Sequence, residues 1–258
     1  MTAGIRHTCA VGSDDKLVCF GNHVVPMPPL ATYKAVVAGY AHTCAIRMDD
    51  KAVCWGESSN GQAPSGPTAD SFKALAAGDD HTCGIRADDK VVCWGNNSAG
   101  QAPATPSVDN FKAVSARFDH ACGIRADDKV VCWGNNAAGQ APAAPSVDTF
   151  KAVAAGAYHS CGLRSDDKIV CWGAAAPFPG PTADSYVSLS SGVDNVCAVR
   201  ADRKRICWGN NDLGPAPPGA SLDTFKSVSL GPSHGCGVRG DDRVICWGHD
   251  GQGRAPAL

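Results

Sequence analysis

The sequence has 258 residues, of which 44% are hydrophobic and 19% are charged, with a net charge of −2. This apolar content supports a folded core, which excludes a disordered chain, and the charge lacks the basic excess typical of nucleic-acid-binding proteins. No apolar stretch approaches the roughly 18 residues that a membrane span needs, so we expect none. The 29 glycines and 17 prolines predict many short strands joined by tight turns.

One segment recurs along the whole chain, and each copy carries two cysteines ten positions apart. The pairs are Cys9 and Cys19, Cys44 and Cys54, Cys83 and Cys93, Cys122 and Cys132, Cys161 and Cys171, Cys197 and Cys207, and Cys236 and Cys246. The copies predict β-hairpins near residues 7–21, 42–56, 81–95, 120–134, 159–173, 195–209 and 234–248. We expect residues 1–258 to form a single repeat domain.

Within a copy, the residue pattern is that of strands. Residues 150–155 form a short β-prone run, residues 159–164 predict a second strand, and residues 168–173 predict a third after a three-residue turn. This turn places Cys161 opposite Cys171, at a Cα distance of about 4.5–5.5 Å. Asp167, the last turn residue, is expected to adopt the left-handed conformation.

Seven sheets of about three strands each cannot bury both faces alone, and radial stacking solves that problem. The predicted fold class is therefore all-β, a seven-bladed β-propeller of short antiparallel blades. The small residues of the first strand favour the innermost position. Only six such strands are visible, starting near Tyr33, Phe72, Phe111, Phe150, Tyr186 and Phe225. Either the sequence is trimmed upstream or the first blade lacks its inner strand.

The repeat motif consists of Gly-x-x-His at 156–159, the aspartate turn, and Trp-Gly-Asn-Asn-x-x-Gly-Gln at 133–140. These residues resemble the regulator of chromosome condensation repeat family across essentially the whole chain. The short, cysteine-paired form is similar to extracellular members such as crinkly-type plant receptor ectodomains. It is also similar to the propeller-type β-lactamase inhibitor protein, which lacks the paired cysteines. The resemblance implies the propeller fold but no single function, since this architecture hosts exchange factors, inhibitors, receptors and binding scaffolds.

The paired cysteines could form disulfides, remain free thiols or bind metal. A structural zinc site wants four ligands at one point, and each blade offers at most three, so we expect disulfides and no metal. Disulfides favour an extracellular or periplasmic location. No leader segment follows Met1, and we expect a signal peptide to have been removed from the sequence.

Two further repeat positions carry side chains with possible functions. The histidines are His7, His42, His81, His120, His159 and His234. They could form a proton-responsive or metal-binding surface, but we expect them to hydrogen-bond backbone at blade junctions, a role that Asn195 can also fill. The tryptophans before Gly could stack on sugars, but their strict register favours wedging between blades.

Recognition should lie where the copies differ. The residues before each histidine mix aromatic and acidic side chains, and in the fourth copy Arg117 replaces the usual glycine. The binding candidates there are Tyr40, Asp79, Asp80, Arg117, Phe118, Asp119, Tyr158 and Asp194. A second variable loop follows Trp-Gly. It is apolar and rich in proline at 24–29 and at 174–179, where Phe178 is a further candidate.

We therefore expect a secreted, monomeric, non-enzymatic module without cofactors, which recognises an unknown protein or glycan through loops on one face. No catalytic motif is present. The alternative is a β-lactamase-inhibitor-like protein, although such an inhibitor should present more aromatic anchors. A guanine-nucleotide exchange factor is less well supported, because these uniform repeats lack an inserted wedge and a disulfide-bonded chain does not suit the cytosol.

Overall fold

The computed structural model describes residues 1–5, 7–21, 32–103, 105–142, 146–174, 184–210 and 220–249. Within these ranges, the regular elements are β-strands in seven three-stranded antiparallel sheets, each in sequence order. A helix of the length and hydropathy needed to span a bilayer is absent from these ranges. The predicted all-β class with three strands per blade is confirmed.

Each blade consists of three consecutive strands. They are β1 (Thr2–Ala3), β2 (His7–Val11) and β3 (Leu17–Gly21); β4 (Tyr33–Ala38), β5 (His42–Arg47) and β6 (Ala52–Gly56); β7 (Phe72–Ala77), β8 (His81–Arg86) and β9 (Val91–Gly95); β10 (Phe111–Arg117), β11 (His120–Arg125) and β12 (Val130–Gly134); β13 (Phe150–Ala155), β14 (His159–Arg164) and β15 (Ile169–Gly173); β16 (Tyr186–Ser191), β17 (Asn195–Arg200) and β18 (Arg205–Gly209); and β19 (Phe225–Leu230), β20 (His234–Arg239) and β21 (Val244–Gly248).

The turn between the second and third strands has the predicted form. In the fifth blade, the Arg164 N–H donates to the Lys168 carbonyl at 2.8 Å, and Asp167 has a φ of 68°. The equivalent residues with positive φ are Asp15, Asp50, Asp89, Asp128, Arg203 and Asp242. Aspartate tolerates this conformation better than most residues, so the turn follows from local sequence.

Every cysteine pair forms a disulfide within its own blade, as predicted. Cys161 lies directly opposite Cys171 in the β14–β15 ladder, and their Cα atoms are 4.0 Å apart, slightly closer than expected. No cysteine of the chain is left free. In the loop-entropy account, each bridge contributes about 2–3 kcal/mol, so the disulfides stabilise blades that are small on their own.

The tryptophans fill the space between neighbouring blades, as their register predicts. The Trp94 indole packs edge-on against Phe72 with ring centroids 5.7 Å apart, and its Nε1–H donates to the carbonyl of Gln62 after the preceding blade at 3.1 Å. Both rings border a core cluster that includes Ile46 and Cys54 of that preceding blade. The cores therefore form between blades rather than within them.

The ring closes by contact between the first and last blades. The short strand β1 pairs with β2 as a two-residue inner strand, so the first blade is completed by Thr2 and Ala3. The Ala3 N–H donates to the Ser229 hydroxyl at 3.0 Å, and Thr8 Oγ1 lies 2.8 Å from His234 Nε2. These bonds join residues more than 220 positions apart in sequence.

Candidate binding face

The loops that join inner to second strands lie at one end of the ring, which we call the loop face. The hairpin turns at the far end of the second strands form the turn face. In six of the seven blades the loop passes over a buried imidazole, and a Cβ added at Gly78 would lie 2.1 Å from His81 Cε1. The repeated glycine is therefore required by this close approach.

Backbone hydrogen bonds link neighbouring loops across the blade junctions. The Tyr40 N–H donates to the Asp79 carbonyl at 3.2 Å, and the Asp79 N–H donates to the Phe118 carbonyl at 3.3 Å. Farther round the ring, the Ala157 N–H donates to the Val193 carbonyl at 3.3 Å. Among the described residues, these bonds join the loops of blades two to four and those of blades five and six.

The fourth blade departs from the repeat at Arg117. Strand β10 is one residue longer than the other full-length inner strands, and Arg117 pairs with His120 across a two-residue turn. Phe118 in that turn has a φ of 48°, which is unfavourable for a bulky side chain. Arg117 itself is only 7% exposed. Although the sequence nominates it as a surface anchor, the structure places it beneath the loop.

An aromatic pair spans the junction between blades four and five. The Phe118 and Tyr158 rings are tilted by 59° with their centroids 5.4 Å apart, and Tyr158 is 44% exposed. Aromatic contacts of this geometry contribute roughly 0.5–1.5 kcal/mol beyond area burial, which helps to offset the strained Phe118 backbone. The pair offers a ready-made apolar contact on the loop face.

Three carboxylates lie beside this pair. Burial raises the pKa of Asp79, with the nearby charges of Asp80 and Asp119 adding to it and the Arg117 guanidinium opposing it. Burial also raises the pKa of Asp80 and of Asp119, and the Asp80 charge contributes to the shift at Asp119. The acidic cluster, which we define as Asp79, Asp80 and Asp119, is therefore partly desolvated and poorly neutralised.

The remaining candidates lie around this centre or outside the described residues. Tyr40 is half-buried in the second-blade loop, next to Asp79 through its backbone hydrogen bond. Asp194 is exposed in the sixth-blade loop. Phe178 and the apolar loop at 24–29 lie outside the described residues, so their predicted roles stay predictions.

The histidines form a buried ring that ties blade to blade. His42 Nε2 lies 2.9 Å from Thr82 Oγ1 of the next blade, and His120 Nε2 lies 2.8 Å from Ser160 Oγ. The same contact joins His7 to Thr43 and His234 to Thr8. The histidines thus lie at the blade junctions with hydroxyl groups as partners, and backbone groups of Asp79 and Phe118 also act on His42 and His81. Sequence reasoning missed these Thr and Ser residues, although each directly follows a repeat histidine.

Burial dominates the electrostatics of this ring. It lowers the pKa of His42, His120 and His159 to about 4, and that of His81 to about 3, where neighbouring histidines add to the effect. These imidazoles are therefore neutral at physiological pH. Within the described part of the chain, no group of three His, Cys, Asp or Glu side chains is placed to hold a metal ion.

Comparison with protein families finds matches to the regulator of chromosome condensation (RCC1) repeat. The matched segments are residues 33–62, 72–101, 111–140, 150–174 and 225–254, which together exceed half of the chain. No curated protein matches the sequence.

Several solved structures are similar in fold. The ectodomain of the Physcomitrella patens receptor kinase CR4 shares 25% identity with a TM-score of 0.82, over 96% of this chain and 72% of that one. The crinkly ectodomain of Arabidopsis thaliana ACR4 shares 24% identity with a TM-score of 0.83, over 100% and 98%. Saccharomyces cerevisiae Prp20p shares 17% identity with a TM-score of 0.74, over 100% and 82%. The latter two likenesses concern the fold alone.

Proposed function

The chain belongs to the regulator of chromosome condensation (RCC1) repeat family, and on that premise we propose that it is an extracellular, non-enzymatic binding module. Its ligand is a protein that presents basic side chains to the loop face. The observation that carries this proposal is the juxtaposition of the Phe118–Tyr158 pair with the acidic cluster on neighbouring blades.

The extracellular location is supported by the disulfides. All 14 cysteines are paired within blades, and such bonds persist in oxidising compartments. A similar fold occurs in the ectodomain of a plant receptor kinase. A module of this kind works by presenting a rigid surface, and the backbone hydrogen bonds between neighbouring loops of the loop face contribute to that rigidity.

The non-enzymatic character is supported by the state of the reactive groups. Every thiol is bridged, and the buried histidines have pKa values of about 3 to 4 where burial shifts them most, too low for a general base at neutral pH. The repetition of these groups in nearly every blade also fits a structural role.

The chemistry of the ligand follows from the two halves of the site. Tyr158 offers an exposed aromatic surface of the kind enriched in binding hot spots. Burial and mutual repulsion raise the pKa values of the acidic cluster, which means that both disfavour its charged form. A Lys or Arg of a partner placed beside the carboxylates would stabilise that charged form. An aromatic platform beside acceptor groups could also bind a sugar, and the experiment below distinguishes the two.

The experiment is a parallel screen of the whole protein on arrays of basic peptides and of glycans, followed by affinity measurements on the best ligands. Tyr158→Ala and the triple variant Asp79→Asn, Asp80→Asn, Asp119→Asn alter the site. We expect each to weaken peptide binding by at least about tenfold, as loss of a hot-spot side chain does. Affinity should also fall with added salt.

Matched controls lie on or near the turn face. Val147→Ala removes an apolar side chain that is 90% exposed, and Asp127→Asn removes an exposed carboxylate that pairs with Arg125. Both controls should bind as the wild type does. Binding to glycans only would overturn the choice of a protein ligand. Equal losses in control and loop-face variants would overturn the assignment of the site.

A further inference from the structure

The centre of the ring contains a cavity of about 270 Å³ lined by the inner strands of all seven blades. Most lining residues are small, including Ala76, Ala116, Ala154 and Ser190. The volume falls below the roughly 300–1,000 Å³ of pockets for drug-sized ligands. The cavity therefore suits a small molecule or ion.

Arg117 supplies the one charged side chain among the described residues that line this cavity. The residue is more than nine-tenths buried, and its Nη2 is inaccessible and has no hydrogen-bond partner. Asp79 attracts it, but the described residues place no carboxylate within ion-pair distance of the guanidinium. A buried charge without hydrogen bonds is costly unless something else satisfies it. The six other blades avoid the problem with glycine at this position.

The inner strands show where further donors lie. At four junctions, a hydroxyl group on the inner strand of one blade accepts a hydrogen bond from a backbone N–H on the inner strand of the next. The Ala155 N–H donates to Ser115 Oγ at 3.0 Å, and the Leu230 N–H donates to Ser190 Oγ at 2.9 Å. The other two are Ala38 N–H to Thr2 Oγ1 and Ala3 N–H to Ser229 Oγ.

The equivalent hydroxyl is missing in front of blades three, four and six, where Val37, Ala76 and Ala154 occupy its position. The amides of Ala77 in blade three and Ala116 in blade four therefore do not receive this acceptor. Both residues line the cavity, as Arg117 does. Arg117 and these two backbone amides thus belong to residues that border one cavity, and the hydroxyl acceptor of the other junctions is missing there. Arginine and backbone N–H groups are the donors with which proteins hold oxyanions.

We propose that the central cavity binds a small oxyanion, a phosphate or a carboxylate, through Arg117 and the amides of Ala77 and Ala116. This site lies inside the ring and is separate from the loop-face surface of the proposed function. The anion would pair with the one charged side chain of the lining and occupy space that the small side chains leave open.

The test is titration of the whole protein with inorganic phosphate and, separately, with acetate, at constant ionic strength in chloride. Binding is followed by the thermal unfolding midpoint and by phosphorus-31 or carbon-13 NMR of the anion. We expect saturable binding with one anion per chain. Tighter binding of phosphate would identify a tetrahedral oxyanion, and tighter binding of acetate a carboxylate.

Three variants separate anion binding from a structural role. Arg117→Met should lower the affinity for the anion by at least about tenfold, as loss of a charged hydrogen bond does, whereas Arg117→Lys should retain part of that affinity. Ala76→Ser restores the missing hydroxyl beside the Ala116 amide and should weaken binding severalfold with the guanidinium intact. Serine occupies the equivalent position in three other blades, so the fold accommodates it.

Arg125→Met is the control, since Arg125 pairs with exposed aspartates on the turn face. It should bind the anion as the wild type does. Tyr158→Ala should also bind normally, which keeps this test independent of the loop-face proposal. The absence of saturable binding, or unchanged binding by Arg117→Met, would overturn the proposal.

Discussion

The buried histidine ring predicts that Ala121→Ser stabilises the protein. Ala121 is fully buried and occupies the position where other blades present a hydroxyl to the preceding histidine. The histidine facing it is His81, whose buried Nε2 has no hydrogen-bond partner. A serine hydroxyl at 121 would supply that partner, because Ser160 makes the same contact with His120 at 2.8 Å.

The expected gain in the free energy of unfolding is that of one buried hydrogen bond, about 0.5–1.5 kcal/mol net. With an unfolding entropy of roughly 2.1 cal/mol/K per residue, the thermal unfolding midpoint should rise by about 1–3 °C in a chain of this size. The reverse change, Thr82→Ala, removes the hydroxyl from His42 and should cost about 1–3 kcal/mol, since it leaves a buried nitrogen unsatisfied.

The assay is guanidinium-induced equilibrium unfolding under non-reducing conditions, with thermal midpoints as a second measure. Ala45→Ser is the matched control, because it buries the same hydroxyl in the apolar cluster between blades one and two. This control should destabilise the protein. If Ala121→Ser lowers stability as much as Ala45→Ser does, the histidine–hydroxyl contact does not stabilise the blade junctions.

The remaining predictions concern pH, the disulfides and the loop strain. The pKa values of four ring histidines, His42, His81, His120 and His159, lie at about 3 to 4, below the unfolded value near 6.5, so the unfolded chain binds more protons between these values. Stability should be complete above pH 6.5 and fall as pH drops towards 4, and His120→Asn, which copies Asn195, should flatten this dependence in pH-resolved unfolding curves. Replacing Cys83 and Cys93 together by alanine should cost about 2–3 kcal/mol in denaturant unfolding, and a cost near zero would contradict the loop-entropy account. Phe118→Asn should leave stability within about 1 kcal/mol, because relief at a positive φ offsets the lost ring contact, yet it should weaken ligand binding at the loop face.

The sequence by itself determined the fold because local signals repeat. Each copy contains an aspartate turn and a cysteine pair at a constant offset, and both depend on residues within about a dozen positions of one another. The turn conformation of Asp167 and the pairing of Cys161 with Cys171 therefore followed from one hairpin considered alone. Repetition then required the blades to pack against each other, which also accounts for the position of Trp94 between two neighbouring blades.

The partners of the histidines and the environment of Arg117 were decided only by the tertiary structure. His42 meets Thr82 across a junction, 40 positions away, and only the packing of one blade against the next brings the two side chains together. Arg117 is charged and sits next to a variable loop, which predicts exposure, but the residue is buried beside a cavity that exists only when seven blades assemble. Hairpin geometry is set by neighbours along the chain, whereas burial and charge at the ring centre depend on every blade at once.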